Sequence, residues 1–254
     1  MNSTGLGETQ PQVITLEAKR ILQLLSEGEM EVQGHIPWSS NATLLVIVQK
    51  DDISSLAVYK PHRGERPLWD FPYGSLGNRE VATYLVSEAM GWGMVPPTVL
   101  RQGPYGVGSV QFYVQAQEDL HFFTIRDDPA YVHDLMRLAA LDVITNNADR
   151  KSGHCLMDQN GRLWAIDNAL TFHTEPKLRT VIWDFAGLPL PSQVLSDLGG
   201  LQETLTTDSA LTRTLGDLLS KAEIMALGCR LQQLIQSKCY PIPGPGRVVP
   251  WPLV

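Results

Sequence analysis

The stretch that decides the fold is Asn146-Asn147-Ala148-Asp149-Arg150-Lys151-Ser152-Gly153-His154. It is polar, and it ends a predicted helix at about 129–147 whose apolar residues occupy most sides, as in a buried helix. A second acidic residue, Asp167, follows thirteen residues after His154, just past a predicted strand. Two carboxylates and a histidine thus lie at the ends of predicted core elements, where a rigid scaffold can hold reactive side chains.

The bulk composition limits the class of protein. A chain of 254 residues is long enough for one large domain or for two lobes around a cleft. With 43% hydrophobic and 19% charged residues, the composition predicts a packed core rather than disorder. The net charge of −7 argues against a non-specific nucleic-acid binder. An anionic substrate stays open, because local charge can oppose the net charge.

Cysteine spacing and hydropathy bear on the compartment. Cys155, Cys229 and Cys239 are widely spaced and form no CxxC pair, which predicts neither a zinc ribbon nor a disulfide framework. Residues 1–12 are polar and predict a flexible leader rather than a secretory signal. The sequence has no run of about 18 apolar residues, so we expect no membrane span and a cytoplasmic protein.

The first half alternates between helical and strand patterns. Residues 13–27 have helical spacing, and Gly28 ends this helix. Residues 30–60 contain three short apolar runs separated by turn residues, which predict an antiparallel meander. After a loop rich in Gly, Pro and Arg, a helix is predicted at 79–91. Two further strands follow, up to residue 115.

The second half is mainly helical. After the buried helix, residues 154–158 and 162–167 flank the turn Asp158-Gln159-Asn160-Gly161 and predict a tight hairpin. Helical segments are predicted at about 192–204 and 208–237. Residues 241–254 form a Pro-rich tail that cannot continue a helix. We find no internal repeat.

The order of charged residues along these elements suggests a chemistry. Lys60 ends the third strand, Glu80 begins the helix after it, and Asp149 and Asp167 follow in the second half. Phosphoryl transfer uses a lysine on the nucleotide phosphates, a carboxylate that orients or deprotonates the acceptor, and further ligands that hold a metal ion. Each residue alone also fits a structural interpretation, such as a surface lysine or a turn cap. Their combination in this order favours phosphoryl transfer.

With these motifs in place, the chain resembles the protein-kinase-like superfamily, in its atypical branch of phosphatidylinositol 3-/4-kinases and HipA-type kinases. Asp149-Arg150-Lys151-Ser152-Gly153-His154 is similar to the D-R-x-x-x-N catalytic loop of that branch. A bacterial phosphatidylinositol 3-/4-kinase-like family is more similar still, over about residues 30–190. The stretches that carry this closer resemblance are Val58-Tyr59-Lys60-Pro61, Arg63-Gly64-Glu65-Arg66-Pro67-Leu68-Trp69, 146–151 and Lys177-Leu178-Arg179-Thr180-Val181.

The resemblance implies an α+β, bilobal protein-kinase-like fold, with a small antiparallel-sheet N-lobe at 13–115 and a mainly helical C-lobe at 116–240. It also implies ATP and Mg²⁺ or Mn²⁺ as cofactors. By position, Lys60 and Glu80 would serve the nucleotide and Asp149 would be catalytic. Asp167 and His154 would hold the metal. His154 stands where an asparagine is usual, which favours the softer Mn²⁺ or leaves Asp167 to hold the metal largely alone.

The resemblance also implies contacts at the edges of the cleft. Ser39, Ser40 and Asn41 take the place of the phosphate-covering loop, and Gln111 to Gln115 lead into the hinge beside the adenine. Six basic residues could line a site for an anionic acceptor or form a solvated face: Arg63, Arg66, Arg150, Lys151, Lys177 and Arg179.

Two further features concern packing. The glycine of a D-x-G motif is missing after Asp167, and we expect Asn168 to supply the left-handed turn instead. The aromatic residues Trp69, Phe71 and Trp183 are expected in the core or between the lobes, and Cys155 in the core of the hairpin.

The function predicted from the sequence is therefore an ATP-dependent phosphotransferase that acts on an unidentified hydroxyl acceptor. A non-catalytic nucleotide-binding pseudokinase regulator and an AMP transferase stay open as alternatives. The partners are a nucleotide and an acceptor, without nucleic acid. The sequence does not predict the oligomeric state.

Overall fold

The structure, a computed structural model, describes residues 10–36 and 42–253, and in residues 10–17 it describes the backbone alone. Most of the predicted leader and the predicted phosphate-covering residues Ser39, Ser40 and Asn41 lie outside the described residues. The described part has the predicted α+β class, with a five-stranded antiparallel sheet followed by a mainly helical half.

The described residues of the first half form the five-stranded sheet and two α-helices. The elements are α1 (Gln10–Glu27), β1 (Glu29–His35), β2 (Leu44–Lys50), β3 (Ile53–Pro61), α2 (Leu76–Ala89), β4 (Thr98–Gly103) and β5 (Gly106–Phe112). The strand order is β1-β2-β3-β5-β4. The predicted meander forms the first three strands, and the two later strands continue the sheet beyond β3.

The two faces of this sheet have different surroundings. Because side chains alternate along a strand, Val46 and Tyr59 are buried on one face, where they form a core with Leu25 of α1. Val58 and Lys60 lie on the opposite face and stay partly exposed. Leu45 pairs with Val58 in the neighbouring strand and shares this face. The open face of the sheet is thus apolar, with a lysine at its end.

The second half packs around α4. Its elements are α3 (Phe122–Ile125), α4 (Val132–Thr145), β6 (Cys155–Met157), β7 (Leu163–Ala165), α5 (Ser192–Thr206), α6 (Ala210–Leu218) and α7 (Lys221–Ser237). Leu138, Leu141 and Ile144 of α4 are fully buried, as the sequence predicts for this helix. The hairpin of β6 and β7 packs Cys155 into the same core. Within the described ranges, none of the helices combines the length and apolar character that a membrane span requires.

Two predictions about packing need correction. The single helix predicted at 208–237 is divided into α6 and α7, because Ser220 caps a new helix and forms a capping box with Glu223. Trp69 is 91% exposed and therefore does not belong to the core, whereas Phe71 is buried as expected. Trp183 is half-buried, and its ring nitrogen donates to the carbonyl of Val248 in the tail.

Candidate active site

Lys60, at the end of β3, contacts acidic residues from both halves of the structure. Its Nζ donates to Glu80 Oε1 of α2 at 2.5 Å and to Asp167 Oδ1, just past β7, at 2.9 Å. Burial acts to lower the pKa of Lys60, but the charges of Asp167 and Glu80 outweigh it and raise the pKa above its ordinary value. The lysine therefore stays charged. A single ammonium group on β3 thus contacts both α2 and the segment after β7, which were predicted as separate elements.

Glu80 is the buried member of this group, with 1% of its surface exposed. Burial raises the pKa of Glu80, and Lys60 acts against that rise. Its second oxygen, Oε2, has no hydrogen-bond partner within the described residues. Glu80 can therefore orient Lys60 and still has an unused acceptor.

Asp167 carries the negative charge that faces the open side. Its carboxylate is 42% exposed. The charge of Lys60 lowers the pKa of Asp167 far below the ordinary value, against the opposite effect of burial. This carboxylate is therefore ionised at neutral pH and is a suitable ligand for a hard divalent cation.

His154 is a neutral neighbour of Asp167. Burial lowers the pKa of His154 to about 4. Its Nδ1 accepts from the backbone N–H of Lys151 at 3.4 Å, so we assign the ring proton to Nε2, which lies 3.3 Å from Asp167 Oδ2. In this tautomer the protonated Nε2 lies at ion-pair distance from the Asp167 carboxylate. Direct coordination of a metal by Nε2 would require the ring proton to move to Nδ1.

Asp149 lies in the polar loop after α4. Its backbone N–H donates to Asn147 Oδ1 at 2.9 Å, which shapes the loop as an Asx turn. Its carboxylate accepts a contact from Lys151 Nζ at 3.3 Å. Burial raises the pKa of Asp149, the charge of Lys151 acts against that rise, and the charge of Asp167 adds to it. A carboxylate with a raised pKa is better suited to accept a proton.

The structure contradicts the assignment of Arg150 to an acceptor site. Arg150 is fully buried and pairs with Asp142 of α4, whose Oδ1 accepts from Arg150 Nε at 3.0 Å. A buried, paired guanidinium cannot reach an acceptor in the open cleft. Asp142 was not predicted as a site residue from the sequence, although an acidic residue within an apolar helix is a signal for a buried partner.

Lys177 is also unavailable to an acceptor. Its Nζ lies 3.0 Å from Asp70 Oδ2 and 4.9 Å from the ring centre of Trp69, and its side chain is largely buried. Arg63 and Arg66 are exposed on the loop between β3 and α2, and Arg179 is half-buried. An acceptor role for these three arginines stays a prediction.

The two glutamines predicted near the hinge differ in exposure. Gln111 is buried in β5, where its amide nitrogen donates to Thr98 Oγ1 at 2.8 Å, so this donor is already used. Gln115 is exposed beyond the end of β5. A nucleotide contact by Gln115 stays a prediction.

Apolar residues on the sheet face that carries Lys60 were not predicted as site residues from the sequence. Leu45 and Val58 are half-buried on this open face. In the second half of the chain, Leu156 of β6 is half-buried between the core residues Cys155 and Met157. The alternation of the strands could have identified these residues, because each lies between two residues of the opposite face.

The turn after Asp167 differs from expectation. Asp167 itself has the left-handed backbone conformation, with φ of 54°, and Asn168 does not belong to the described residues with positive φ. The prediction that Asn168 supplies the left-handed step is therefore wrong. Aspartate tolerates this region better than most residues.

The donor set for a metal is small. In the described ranges, no group of three or more His, Cys, Asp or Glu side chains is arranged to hold a metal by itself. Asp167 with one neighbouring group matches the way Mg²⁺ is bound together with nucleotide, through one or two carboxylates and the phosphates. The residues therefore fit a cation that arrives with a nucleotide.

Comparison with solved structures identifies the fold. Fam20 of hydra, solved with sugar, matches with a TM-score of 0.55 over 88% of each chain at 14% identity. The Golgi casein kinase with Mn and ADP bound matches with a TM-score of 0.54 over 87% of this chain and 75% of that chain, at 15% identity. The Helicobacter pylori proinflammatory kinase CtkA has a TM-score of 0.53 over 85% and 94%, at 10% identity. The predicted bilobal kinase-like fold is thereby confirmed.

Sequence comparison identifies a relative. No protein-family model matches the chain. Protein Rv2133c of Mycobacterium tuberculosis (strain ATCC 25618 / H37Rv) is 38% identical over 262 aligned positions, which cover 90% of this chain and 94% of the relative. The chain therefore belongs to the same family as protein Rv2133c.

Proposed function

We propose that the protein is an ATP-dependent phosphotransferase that transfers a phosphoryl group to the hydroxyl of an acceptor. The observation that carries this proposal is the position of Lys60, which bonds both Glu80 and Asp167 and thereby joins the two halves of a kinase-like fold. Phosphoryl transfer depends mainly on positioning and on neutralising negative charge. A charged lysine between two carboxylates suits both requirements.

The nucleotide would lie against the open face of the sheet. Its phosphates would meet Lys60, and the half-buried Leu45, Val58 and Leu156 offer apolar contacts for the adenine. Such sites are mostly apolar with a few polar groups that fix orientation. The Mn and ADP in the Golgi casein kinase support a nucleotide in a fold of this kind.

Asp167 would hold a divalent cation, and His154 would orient its carboxylate. When bound, the cation neutralises charge on the phosphate oxygens. The low pKa of Asp167 keeps its carboxylate ionised, and the low pKa of His154 keeps the imidazole neutral, so that no positive charge from the ring opposes a cation. Either Mg²⁺ or Mn²⁺ fits this donor set.

Asp149 would orient the acceptor hydroxyl and take its proton. Its raised pKa suits this role, and Lys151 could balance the charge that changes during transfer. The exposed Arg63 and Arg66 favour an anionic acceptor, whereas Arg150 and Lys177 are no longer candidates for contacting it. The motifs of the bacterial phosphatidylinositol 3-/4-kinase-like family support an alcohol acceptor and leave open whether it is a lipid, a protein or a small molecule.

A second candidate is a nucleotide-binding regulator without catalysis. Two observations favour it: Nε2 of His154, to which the ring proton is assigned, lies 3.3 Å from Asp167 Oδ2, and Asp149 is already paired with Lys151. In this arrangement a nucleotide could bind while the catalytic groups stay engaged with each other.

One set of measurements distinguishes these functions. Thermal shift with ATP, with and without Mg²⁺ or Mn²⁺, tests binding, and mass spectrometry of products with a panel of alcohol acceptors tests transfer. A product heavier by one phosphate supports the proposal, and a product heavier by AMP identifies an AMP transferase. Binding without any product across the panel supports the regulator. The absence of nucleotide binding overturns both.

A further inference from the structure

Arg150 has contacts on both sides of Asp167. Its Nη1 donates to the carbonyl of Ile166 at 2.8 Å, and its Nη2 donates to Asn168 Oδ1 at 2.5 Å. Residues 166 and 168 are the two chain neighbours of Asp167. The same guanidinium thus touches the residue before and the residue after the proposed metal ligand.

The other end of Arg150 is fixed to α4. Nε lies 3.0 Å from Oδ1 and 3.2 Å from Oδ2 of Asp142, and both side chains are fully buried. Asp142 also accepts from Thr180 Oγ1 at 3.2 Å and from Asn147 Nδ2 at 3.1 Å. Because α4 is packed on most sides, this carboxylate is a rigid anchor for the planar guanidinium.

The backbone at Asp167 needs such support. Its φ of 54° lies in the left-handed region, which most residues avoid and which surrounding contacts must hold. The direction of the carboxylate follows from this backbone conformation. A small rotation at Asp167 would move its oxygens away from Lys60 and from any cation held there.

We infer that Arg150 and Asn168 are positioning residues, which hold Asp167 in the geometry that a cation and Lys60 require. The expected effect on cation binding rests on the proposed function, whereas the support of the turn by Arg150 and Asn168 does not depend on a nucleotide. Asp142 alone would satisfy the charge of Arg150, so charge balance does not account for the two contacts beside Asp167. Groups that orient a metal ligand commonly matter almost as much as the ligand.

Three variants separate positioning from general stability. Asn168→Ala removes the acceptor next to Asp167 and leaves the Arg150–Asp142 pair intact. Arg150→Lys keeps a charge beside Asp142 but cannot form the fork of contacts. Thr180→Val is the matched control, because it removes a buried hydrogen bond to the same Asp142, and the bond that Thr180 accepts from the Ile182 N–H, without removing either contact of Arg150 beside Asp167.

Two readouts are measured for each variant. The first is amide hydrogen exchange of residues 163–172 in the protein without nucleotide or metal. The second is the dissociation constant for ATP in the presence of Mn²⁺ and, separately, in EDTA. We expect Asn168→Ala and Arg150→Lys to speed exchange in this segment and to weaken the Mn²⁺-dependent binding about ten- to hundredfold. Binding in EDTA should stay close to the wild-type value.

Asn168 also donates to the carbonyl of Ala165 at 3.0 Å, so Asn168→Ala removes two hydrogen bonds at once. A further variant distinguishes between them. Asn168→Asp keeps an oxygen for Arg150 and loses the donor, so its metal-free exchange should resemble the wild type if the contact with Arg150 matters. Exchange as fast as in Asn168→Ala would overturn the assignment to Arg150.

The remaining outcomes are also decisive. Wild-type exchange and wild-type Mn²⁺-dependent affinity in a folded Asn168→Ala protein contradict the inference. So does an equal effect of Thr180→Val on both readouts, because the effect would then follow from stability alone. If the wild type binds no ATP under any condition, the proposed function fails, whereas the exchange of residues 163–172 still decides whether Arg150 holds the turn.

Discussion

Replacing Lys60 by Met is the most direct test of the proposed nucleotide site. The substitution keeps an unbranched side chain and removes the charge that bonds Glu80 at 2.5 Å and Asp167 at 2.9 Å. A hydrogen bond to a charged group contributes about 1.5–3 kcal/mol, so losing one to the phosphates should weaken ATP binding roughly 10- to 150-fold. ADP should lose less, because a point charge gains most from the larger charge of ATP.

The same substitution should lower the free energy of unfolding. Glu80, with 1% of its surface exposed, would be left without its cation. Breaking a fully buried ion pair in this way costs about 3–5 kcal/mol. The side chains of Lys60 and Asp167 are 21% and 42% exposed, so solvent screening should reduce the loss to about 2 kcal/mol. Adding Glu80→Gln should restore part of this loss, because no unpaired carboxylate would remain buried.

Lys50→Met provides the matched control. Lys50 lies in the neighbouring strand and bonds Glu27 at 2.5 Å, but this pair is exposed, with side-chain fractions of 30% and 53%. Pairs exposed to this degree add little net stability because solvent screens them, so this variant should keep both stability and nucleotide affinity. Calorimetric titration with ATP and ADP, and urea unfolding, measure the two effects. Equal, small losses for ATP and ADP in Lys60→Met, or the same losses in Lys50→Met, would refute the reasoning.

The other predictions concern the carboxylates and the histidine. Asp167→Asn should abolish the part of ATP binding that depends on Mn²⁺ or Mg²⁺, measured against binding in EDTA; unchanged metal-dependent affinity in the folded variant would refute its role. Asp149→Ala should reduce turnover by about 10²–10⁴-fold with little change in ATP affinity, and full turnover would exclude proton transfer by this residue. His154 has a pKa lowered to about 4 from 6.5, so the unfolded chain binds more protons between these values and stability falls as pH falls through this window. His154→Asn should remove this pH-dependent part of the free energy of unfolding, which amounts to up to about 3 kcal/mol. Urea unfolding between pH 6.5 and 4 measures it, and an unchanged pH profile would contradict the lowered pKa of His154. If the ring proton moves to Nδ1 and Nε2 coordinates the cation directly, the same variant should raise activity with Mg²⁺ relative to Mn²⁺, since an amide oxygen is the harder ligand. An unchanged ratio would leave His154 only the role of orienting Asp167.

The strands and the helix that carry the site residues could be predicted from the sequence, because short-range patterns of apolar and turn residues determine them. Alternation and turn residues are enough to define the meander that ends at Lys60 and the hairpin that ends at Asp167. The helical period is enough to define the buried α4 that leads to Asp149. The order of these residues along the chain therefore indicated a kinase-like fold before any contact was known.

The partners of the basic residues could not be predicted in the same way. Asp142, the partner of Arg150, is marked by its place in an apolar helix, but this signal does not identify which cation it binds. Asp70, the partner of Lys177, is far away in the sequence. Whether an arginine is buried or exposed depends on the packing of several elements, which no local pattern encodes. The same reason applies to Trp69, whose ring lies on the surface beside Lys177 although a tryptophan usually indicates a core.

The absence of a glycine after Asp167 has a structural reason. A D-x-G motif would place its glycine at Ala169, but the left-handed conformation lies at Asp167, so neither following residue needs the freedom of glycine. Ala169 is instead buried in a small cluster with Phe71 and Leu76, where its methyl group contributes to packing. Asn168 Oδ1 accepts from Arg150 Nη2 at 2.5 Å, and an alanine there would remove this hydrogen bond while Nη2 keeps its ion pair with Asp142 Oδ1 at 3.0 Å. The missing glycine thus fits a turn that is held by side-chain contacts, and this dependence is what Asn168→Ala tests.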